Sequence, residues 1–570
     1  MRLGSSKSKN SESLYVIKSI FENGKRSSKV VEKLGTVEQI RRKHPDRDPH
    51  EWAREYIEKL TRAEKEAKRE VLVRYSPSKP IDKDVQRTFC GGYLFLQDIY
   101  HDLSLDGICK EIALRHNFGF DLDEILSCLV YGRILDPASK LATHRWSKTL
   151  LEPASFAEHH VYRALEVLAE ENDFIQSELY KNSKKAVGRN DAILYYDCTN
   201  FFFEIEQEDG DRQYGPSKEN RPLPIVQMGL FMDADGIPLA FDISPGNTNE
   251  QKTLIPLEKK ILKDFEHSKF IVCTDAGLSS AANRRFNSTR LRSFVTTQSI
   301  KGLKGYLRQW ATDPAGWRLS EDGPLYNITG LDESDSFEKV FYKERWINDG
   351  EIEQRLIITF SLKYRDYQRK IRSRQVERAF RLMETNPTSI GRPRQNDFKR
   401  FISQSQVTQD GELAEKSVYA INIERIASEE AYDGLYGVCT DLEDSASAIA
   451  AVNKRRWQIE ECFRVMKHEL KARPTHLSRD DRNRAHFMTC FIALIIYRIL
   501  EKRLGERFST TEIIDTLRAM DFLKVKGEGF IPCYTRTDLT DELHEEFGFR
   551  TDYQIVTTAQ MRKNIRATKK

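Results

Sequence analysis

Long apolar runs are missing from this chain. The most apolar stretch, Phe487 to Tyr497, covers eleven residues. A bilayer-spanning helix needs roughly 20, so this run reads as a buried helix and no membrane partner is expected. The first residues, Met-Arg-Leu-Gly-Ser-Ser-Lys, carry no apolar core of a secretory signal. The nine cysteines are scattered, and none forms a CxxC pair. An odd number without framework spacing argues against a disulfide scaffold and a structural zinc site, and it points to the reduced thiols of a cytosol. Internal repeats and low-complexity tracts are absent. Net charge is scarce too: +4 over 570 residues gives no argument for nucleic acid by itself.

What is present is a protein of several folded parts. Hydrophobic residues make up 39% and charged residues 31% of 570, too long a chain for one core, so roughly three to five domains are expected. Charge is unevenly placed. Residues 1–80 hold 20 Lys and Arg against 12 Asp and Glu, and residues 363–400 hold 12 against 4. Each is a surplus of eight. Such basic segments on a near-neutral chain suggest local anionic contacts, although solvated helical faces would explain them equally well.

Residues 13–34 read as a hairpin turning at Asn23-Gly24. Residues 36–72 read as charged helix, Ser76-Pro-Ser-Lys-Pro80 as a linker, and 92–185 as helical. The period changes at Ala192-Ile-Leu-Tyr-Tyr-Asp197, an apolar run fitting a strand buried on both faces. Strands at 225–231 and 237–243 follow, joined by a turn at Asp233-Ala-Asp-Gly236, and then a helix near 251–265. Lys269-Phe-Ile-Val-Cys-Thr-Asp275 repeats the device of an apolar strand ending in aspartate. Strand-like runs at 293–297, 339–342 and 355–360 precede a basic helix at 364–384, strands at 417–422 and 435–440, and one helix over 445–472. Three antiparallel strands followed by parallel additions predict an α/β fold with a ribonuclease H-like mixed sheet.

The last helix carries Lys454-Arg-Arg-Trp-Gln-Ile-Glu-Glu-Cys-Phe-Arg-Val-Met-Lys467. Ile459, Cys462, Phe463, Met466 and Leu470 form its apolar stripe, and Arg456, Glu460, Arg464, Lys467 and Lys471 form a charged row beside it. Read blandly, this is a solvated face whose ion pairs contribute about 0.2–0.5 kcal/mol each, and each aspartate is a strand-end turn residue. Read together, Asp197, Asp275 and Glu460 are three carboxylates that adjacent strands and one helix can bring to a single place. Mg²⁺ prefers oxygen ligands, and a pair of such ions supports phosphoryl transfer, which would explain the need for acids rather than histidines.

These residues resemble the DDE transposases of bacterial insertion sequences, in particular the insertion-sequence-four type with the signature Y-x2-R-x3-E-x6-K. Arg456, Glu460 and Lys467 fall on its R, E and K. Tyr-Tyr-Asp197-Cys-Thr-Asn-Phe, Gly246-Asn-Thr-Asn-Glu250 and Thr274-Asp275-Ala-Gly-Leu-Ser look like further family blocks, and Lys471-Ala-Arg-Pro474 and Arg484-Ala-His-Phe487 extend the match. The resemblance covers roughly residues 190–500. One place departs: Asn453 stands where the family has tyrosine. An amide still donates to phosphate, and Asn453→Tyr would be a change toward the family, expected to be tolerated or activating.

The resemblance implies Asp197, Asp275 and Glu460 as a catalytic, metal-binding triad for Mg²⁺ or Mn²⁺, two ions expected. Arg456, Lys467, Asn453 and Trp457 become DNA contacts, although Trp457 fits a core position more readily than a base-stacking one, and His486 reads as structural. Implied partners are double-stranded DNA, as terminal inverted repeats and target, and a second copy of the chain when DNA is bound. The implied setting is a bacterial cytoplasm at the nucleoid. The expected organisation is end binding in 1–90, a helical region over 91–190, a catalytic core in 191–290 and 417–500, a β-rich insertion with the basic helix over 291–416, and a helical, oligomerising 501–570. Two other functions compete. A ribonuclease H-like nuclease or resolvase is usually much shorter and lacks such an insertion. A DNA-binding protein that has lost catalysis would not need all three acids.

Overall fold

The computed structural model describes residues 1–8, 11–22, 25–67, 70–73, 76–348, 350, 352–385, 397–406, 417–475 and 477–570. The chain divides into two compact units, residues 1–85 with 525–528, and residues 86–524 with 529–570. The expected boundaries near 190, 290, 416 and 500 fall inside the larger one.

In the smaller unit, strands Ser11–Glu22 and Lys25–Thr36 pair antiparallel as the hairpin pattern predicts, and Arg2–Ser8 adds a third strand. The turn at Asn23-Gly24 lies outside the described residues. The expected long helix is two, Val37–Lys43 and Pro49–Ala67. Asp48 caps the second, its Oδ1 accepting from the His50 and Glu51 amides, and Pro49 takes the first helical position, where no amide hydrogen is needed. Leu14, Ile40 and Ala53 form the small core.

The larger unit is organised by one eight-stranded sheet. Its strands are β1 (Ile193–Phe202), β2 (Ile225–Asp233), β3 (Pro238–Pro245), β4 (Phe270–Thr274), β5 (Arg292–Thr297), β6 (Phe341–Asn348), β7 (Glu353–Phe360) and β8 (Leu435–Thr440). Their order is β6-β7-β8-β5-β4-β1-β2-β3. Strands β1, β2 and β3 form an antiparallel meander, while β4 pairs parallel with β1, and β5 parallel with β4. That 3-2-1-4-5 core is the ribonuclease H-like arrangement the sequence predicts. Strands β6 and β7 of the expected insertion, and β8 from the expected second part of the core, extend the same sheet antiparallel from β5, which itself lies inside the expected insertion bounds. The β2–β3 turn needs Gly236 at φ +77°, and Asp233 Oδ1 accepts from the Asp235 and Ile237 amides within it.

Both sheet faces are covered, which is why β1 reads as unbroken apolar sequence. Leu194, Tyr196 and Cys198 pack under the helix Leu254–Asp264. Tyr195 and Phe201 face the main core. The helices there include α1 (Leu122–Leu135), α2 (Lys140–Ser147), α3 (Ala446–Lys454), α4 (Trp457–Arg464) and α5 (Asp480–Arg503). Helix α5 contains the run Phe487–Tyr497, buried throughout as expected. The C-terminal 501–570 is not purely helical. Asp521–Val525, Gly529–Pro532 and Val556–Thr557 join Thr88–Cys90 in a four-stranded sheet.

The helix expected over 445–472 is broken. α3 ends at Lys454, α4 begins at Trp457, and Val465–Glu469 is a π-turn closed by the Leu470 amide on the Val465 carbonyl at 2.9 Å. A π-turn inserts residues into the helical count, so spacings across it no longer mark one face.

Candidate active site

Strand alternation puts Tyr195, Asp197, Thr199 and Phe201 on one face of β1. Tyr195 and Phe201 belong to the same core as Ile459, Cys462, Phe463 and Met466. Asp197 and Thr199 therefore interrupt the apolar surface beneath α4 and the π-turn. On β4, Cys273 pairs with Tyr195 in parallel register. Continuing two residues sets Asp275 beside Asp197, on neighbouring strands about 4.8 Å apart. Asp197 Oδ1 accepts from its neighbour's amide at Cys198, 2.7 Å away, and Asp275 Oδ1 from the Leu278 amide at 2.9 Å. Burial pushes the Asp197 carboxyl up to about 6, and the Asp275 charge adds to the rise. Lys218, the Cys198 amide and Arg456 oppose it.

Glu460 is not gathered in with this pair. Its side chain is 62% exposed and meets Arg456 Nη1 at 3.5 Å. Among the described residues no three His, Cys, Asp or Glu side chains lie close enough to hold an ion jointly. The paired aspartates still fit a hard cation. Mg²⁺ usually takes one or two carboxylates and fills its shell with water and substrate phosphate, and Asp197 and Asp275 offer two adjacent carboxylates of that kind. Arg456 acts on both Asp197 and Glu460, so one guanidinium links the strand acids to the helix acid.

Lys467 reaches the strand face from the π-turn. Its Nζ donates to Thr199 Oγ1 at 2.6 Å, lies 3.7 Å from Glu219, and sits over the Phe201 ring. Burial, with Lys218 nearby, lowers it to about 8. The π-turn thus separates Lys467 from Glu460, which the seven-residue spacing had put on one face: the lysine is enclosed and the glutamate open. Asn453 is buried. Its Nδ2 donates to the Tyr436 hydroxyl at 2.9 Å, and its Oδ1 accepts from Thr297 Oγ1 at 3.4 Å. The amide ties α3 to β5 and β8, and a tyrosine there would overfill a packed site, against the expectation that it be tolerated. Trp457 is 56% exposed at the start of α4, so the core reading of that indole does not hold. His486 is buried, with Nε2 against the Ala472 carbonyl at 3.1 Å, as a structural histidine should be.

Sequence reading missed the loop after β1. Lys218 meets Glu250 at 3.3 Å and the Cys198 carbonyl, and it is the strongest cation acting on Asp197. Glu219 pairs with Lys467 and Arg473, while Arg221 and Arg473 both lie over the Phe202 ring. No periodicity marks residues 203–224. The one signal was Glu250 closing the Gly246–Glu250 block.

The sequence model of the family described as transposase DDE domain matches residues 200–496, which is 297 of 570 residues. The chain belongs to the transposase DDE domain family. DDE transposases are nuclease and strand-transfer enzymes that generally use divalent metal ions. The match takes in Asp275 and Glu460 and begins three residues after Asp197. Among curated proteins none matches. Of solved structures, piggyBac transposase in a synaptic complex with hairpin DNA is similar over 85% of this chain and 86% of that one, at 10% identity and TM-score 0.36. Mos1 transposase in a paired-end complex with its left transposon end is similar over 30% of this chain and 57% of that one, at 14% identity and TM-score 0.13.

Proposed function

We propose that this protein is the transposase of a bacterial insertion sequence of the insertion-sequence-four type, cleaving DNA at its element's ends and joining those ends to target DNA. The observation that carries this is the register of β1 and β4, which sets Asp197 beside Asp275 on the face that the apolar stripe of α4 packs against. Asp197 and Asp275 would hold Mg²⁺ or Mn²⁺, with Glu460 completing the set once Arg456 turns to a DNA phosphate. Held by Asp197 and Asp275, such an ion would supply the Lewis-acid chemistry of phosphoryl transfer.

The chain's own groups position the strand. Lys467 is held by Thr199 against the strand face, and Arg456 spans the two kinds of acid. Trp457, exposed beside them, offers a ring for base stacking. The basic smaller unit would read the terminal inverted repeats. Helix Leu362–Thr385 would add less grip than its composition suggests, because Arg372 is buried on Asp433 at 2.6 Å and Arg381 pairs with Glu377 at 2.6 Å. The working form would be a homodimer on DNA in the bacterial cytoplasm. Asp197→Asn, Asp275→Asn and Glu460→Gln should each abolish metal-dependent strand cleavage and leave end binding intact. Robust cleavage by any one removes that residue from the site.

A further inference from the structure

Beyond Lys467 the chain runs along a cavity. It is open to solvent and has a volume of about 260 Å³. Its walls include Arg133 near the end of α1, Ser139 and Lys140 at the start of α2, Lys471 and Arg473 after the π-turn, and His486 on α5. No acidic residue lines it among the described residues.

Among the described residues, two of these cations are enclosed without a counter-charge and, at Lys140 Nζ and Arg133 Nε, without a hydrogen-bond partner. Lys140 is 6% exposed and its Nζ has no hydrogen-bond partner. Arg133 is 5% exposed; its Nη atoms donate to the carbonyls of Leu470, Lys471 and Ala138 at 3.2–3.4 Å, and its Nε has no partner. Carbonyl oxygens satisfy donors but supply no negative charge. An unpaired buried ammonium is among the most unfavourable groups a protein can hold. Burial and the Arg133 charge lower Lys140 to about 7, and the same two cations, after burial itself, hold His486 well below its ordinary range. Lys471 adds a strained backbone at φ +43°, a conformation that costs energy and clusters at functional sites. Ser139 Oγ caps α2 through the Ala142 amide at 3.2 Å, leaving the first amides of an eight-residue helix at the cavity wall, where anions are favoured.

We propose that this cavity is a phosphate-binding site, formed by Lys140, Arg133 and Lys471 at the N-terminus of α2. Its volume is below the roughly 300–1,000 Å³ of pockets that enclose drug-sized ligands, so it suits a single tetrahedral oxyanion rather than a whole nucleotide. The phosphate has two possible sources. One is free inorganic phosphate. The other is the backbone of a DNA strand, which would reach the cavity from the Lys467 end because one segment, residues 467–473, borders both places. The charge argument is independent of the transposase reading, and only the DNA source rests on it.

The test uses the full chain, wild type and Lys140→Met, in two arms. The first follows melting in sodium phosphate against sodium chloride at matched ionic strength. Wild type should show a saturable rise with phosphate, and Lys140→Met only the gradual rise expected of an excluded salt. The second follows duplex binding across salt concentrations. Loss of one phosphate contact lowers the slope of log K against log salt by about 0.9. A lost phosphate response with an unchanged slope makes free phosphate the ligand. A lowered slope, with or without the phosphate response, makes the DNA backbone the ligand. Should Lys140→Met fail to fold, Lys471→Ala serves in both arms. Identical phosphate responses and identical slopes in wild type and variant would overturn the site. Neither arm measures cleavage, so an inactive enzyme and an empty pocket give different results.

Discussion

Lys467→Met separates a positioning lysine from one that merely packs. The side chain is largely enclosed, and burial lowers its ionisation from the ordinary 10.5 to about 8. At about 1.4 kcal/mol per pH unit, keeping it charged in the folded protein at neutral pH costs roughly 3 kcal/mol. Methionine removes that cost and keeps most of the volume. It also removes the 2.6 Å bond to Thr199, and a hydrogen bond involving a charged group contributes about 1.5–3 kcal/mol. The two terms nearly cancel, so Lys467→Met should melt within about 1 kcal/mol of wild type. There is a pH signature as well. Folded Lys467 releases its proton near 8 while the unfolded side chain keeps it to about 10.4. Between those values the unfolded state binds more protons, so wild-type stability gains with rising pH, and the variant should lack that gain.

Function should fall far more than stability. A lost phosphate contact lowers the salt slope of duplex binding by about 0.9, and misplacing the strand by about 1 Å costs on the order of 100-fold in rate. Melting curves, salt-titrated binding and single-turnover cleavage on one end fragment give the three readouts. Cleavage at the wild-type rate at moderate salt would refute the phosphate role. So would a loss of melting temperature large enough to account for the loss of cleavage, because Lys467 would then only clamp the π-turn to β1.

Three further outcomes are expected. Asp197 must be ionised to hold a cation and keeps its proton up to about 6, so the Mn²⁺-induced rise in melting temperature should weaken about tenfold in apparent affinity per pH unit below 6; equal affinity at pH 5 and pH 7 would count against Asp197 as a ligand. Asn453→Tyr should destabilise by about 1–3 kcal/mol through overpacking, measured by urea unfolding, and an unchanged midpoint would mean that α3 can lift from β5. Deleting residues 1–85 should abolish discrimination between element ends and random duplex in a gel-shift assay, and unchanged discrimination would place specificity in the larger unit.

The sheet core was legible because its strands are buried on both faces and punctuated by turn residues. Ala192–Asp197 and Lys269–Asp275 announce both the strands and the acids at their ends. What the sequence hid lay where the chain departs from regular periods. The pattern over 445–472 satisfies a helical repeat throughout, since Ile459, Cys462, Phe463, Met466 and Leu470 are all buried, yet the backbone breaks at Arg455-Arg456 and widens at 465–469. Burial alone does not distinguish a straight helix from one carrying a π-turn. The packing of Asn453 was hidden because it depends on Tyr436 and Thr297, distant in sequence and joined to it by sheet packing. Lys218 and Glu219 lie in a loop whose composition carries no period at all.

The break before α4 and the π-turn after it also bear on how the acids divide. Asp197 and Asp275 are fixed by strand register, a rigid frame in which a slip by one residue would turn both carboxylates to the opposite face. Glu460 sits on an eight-residue helix between two irregularities, exposed and held by Arg456. The same guanidinium acts on Asp197, so it tempers the negative charge that would otherwise build up between strand and helix acids. A phosphate that drew Arg456 away would release its hold on Glu460. On the reading proposed above, Glu460 would join the two aspartates only when substrate is bound, and its exposure in the free protein leaves it free to move.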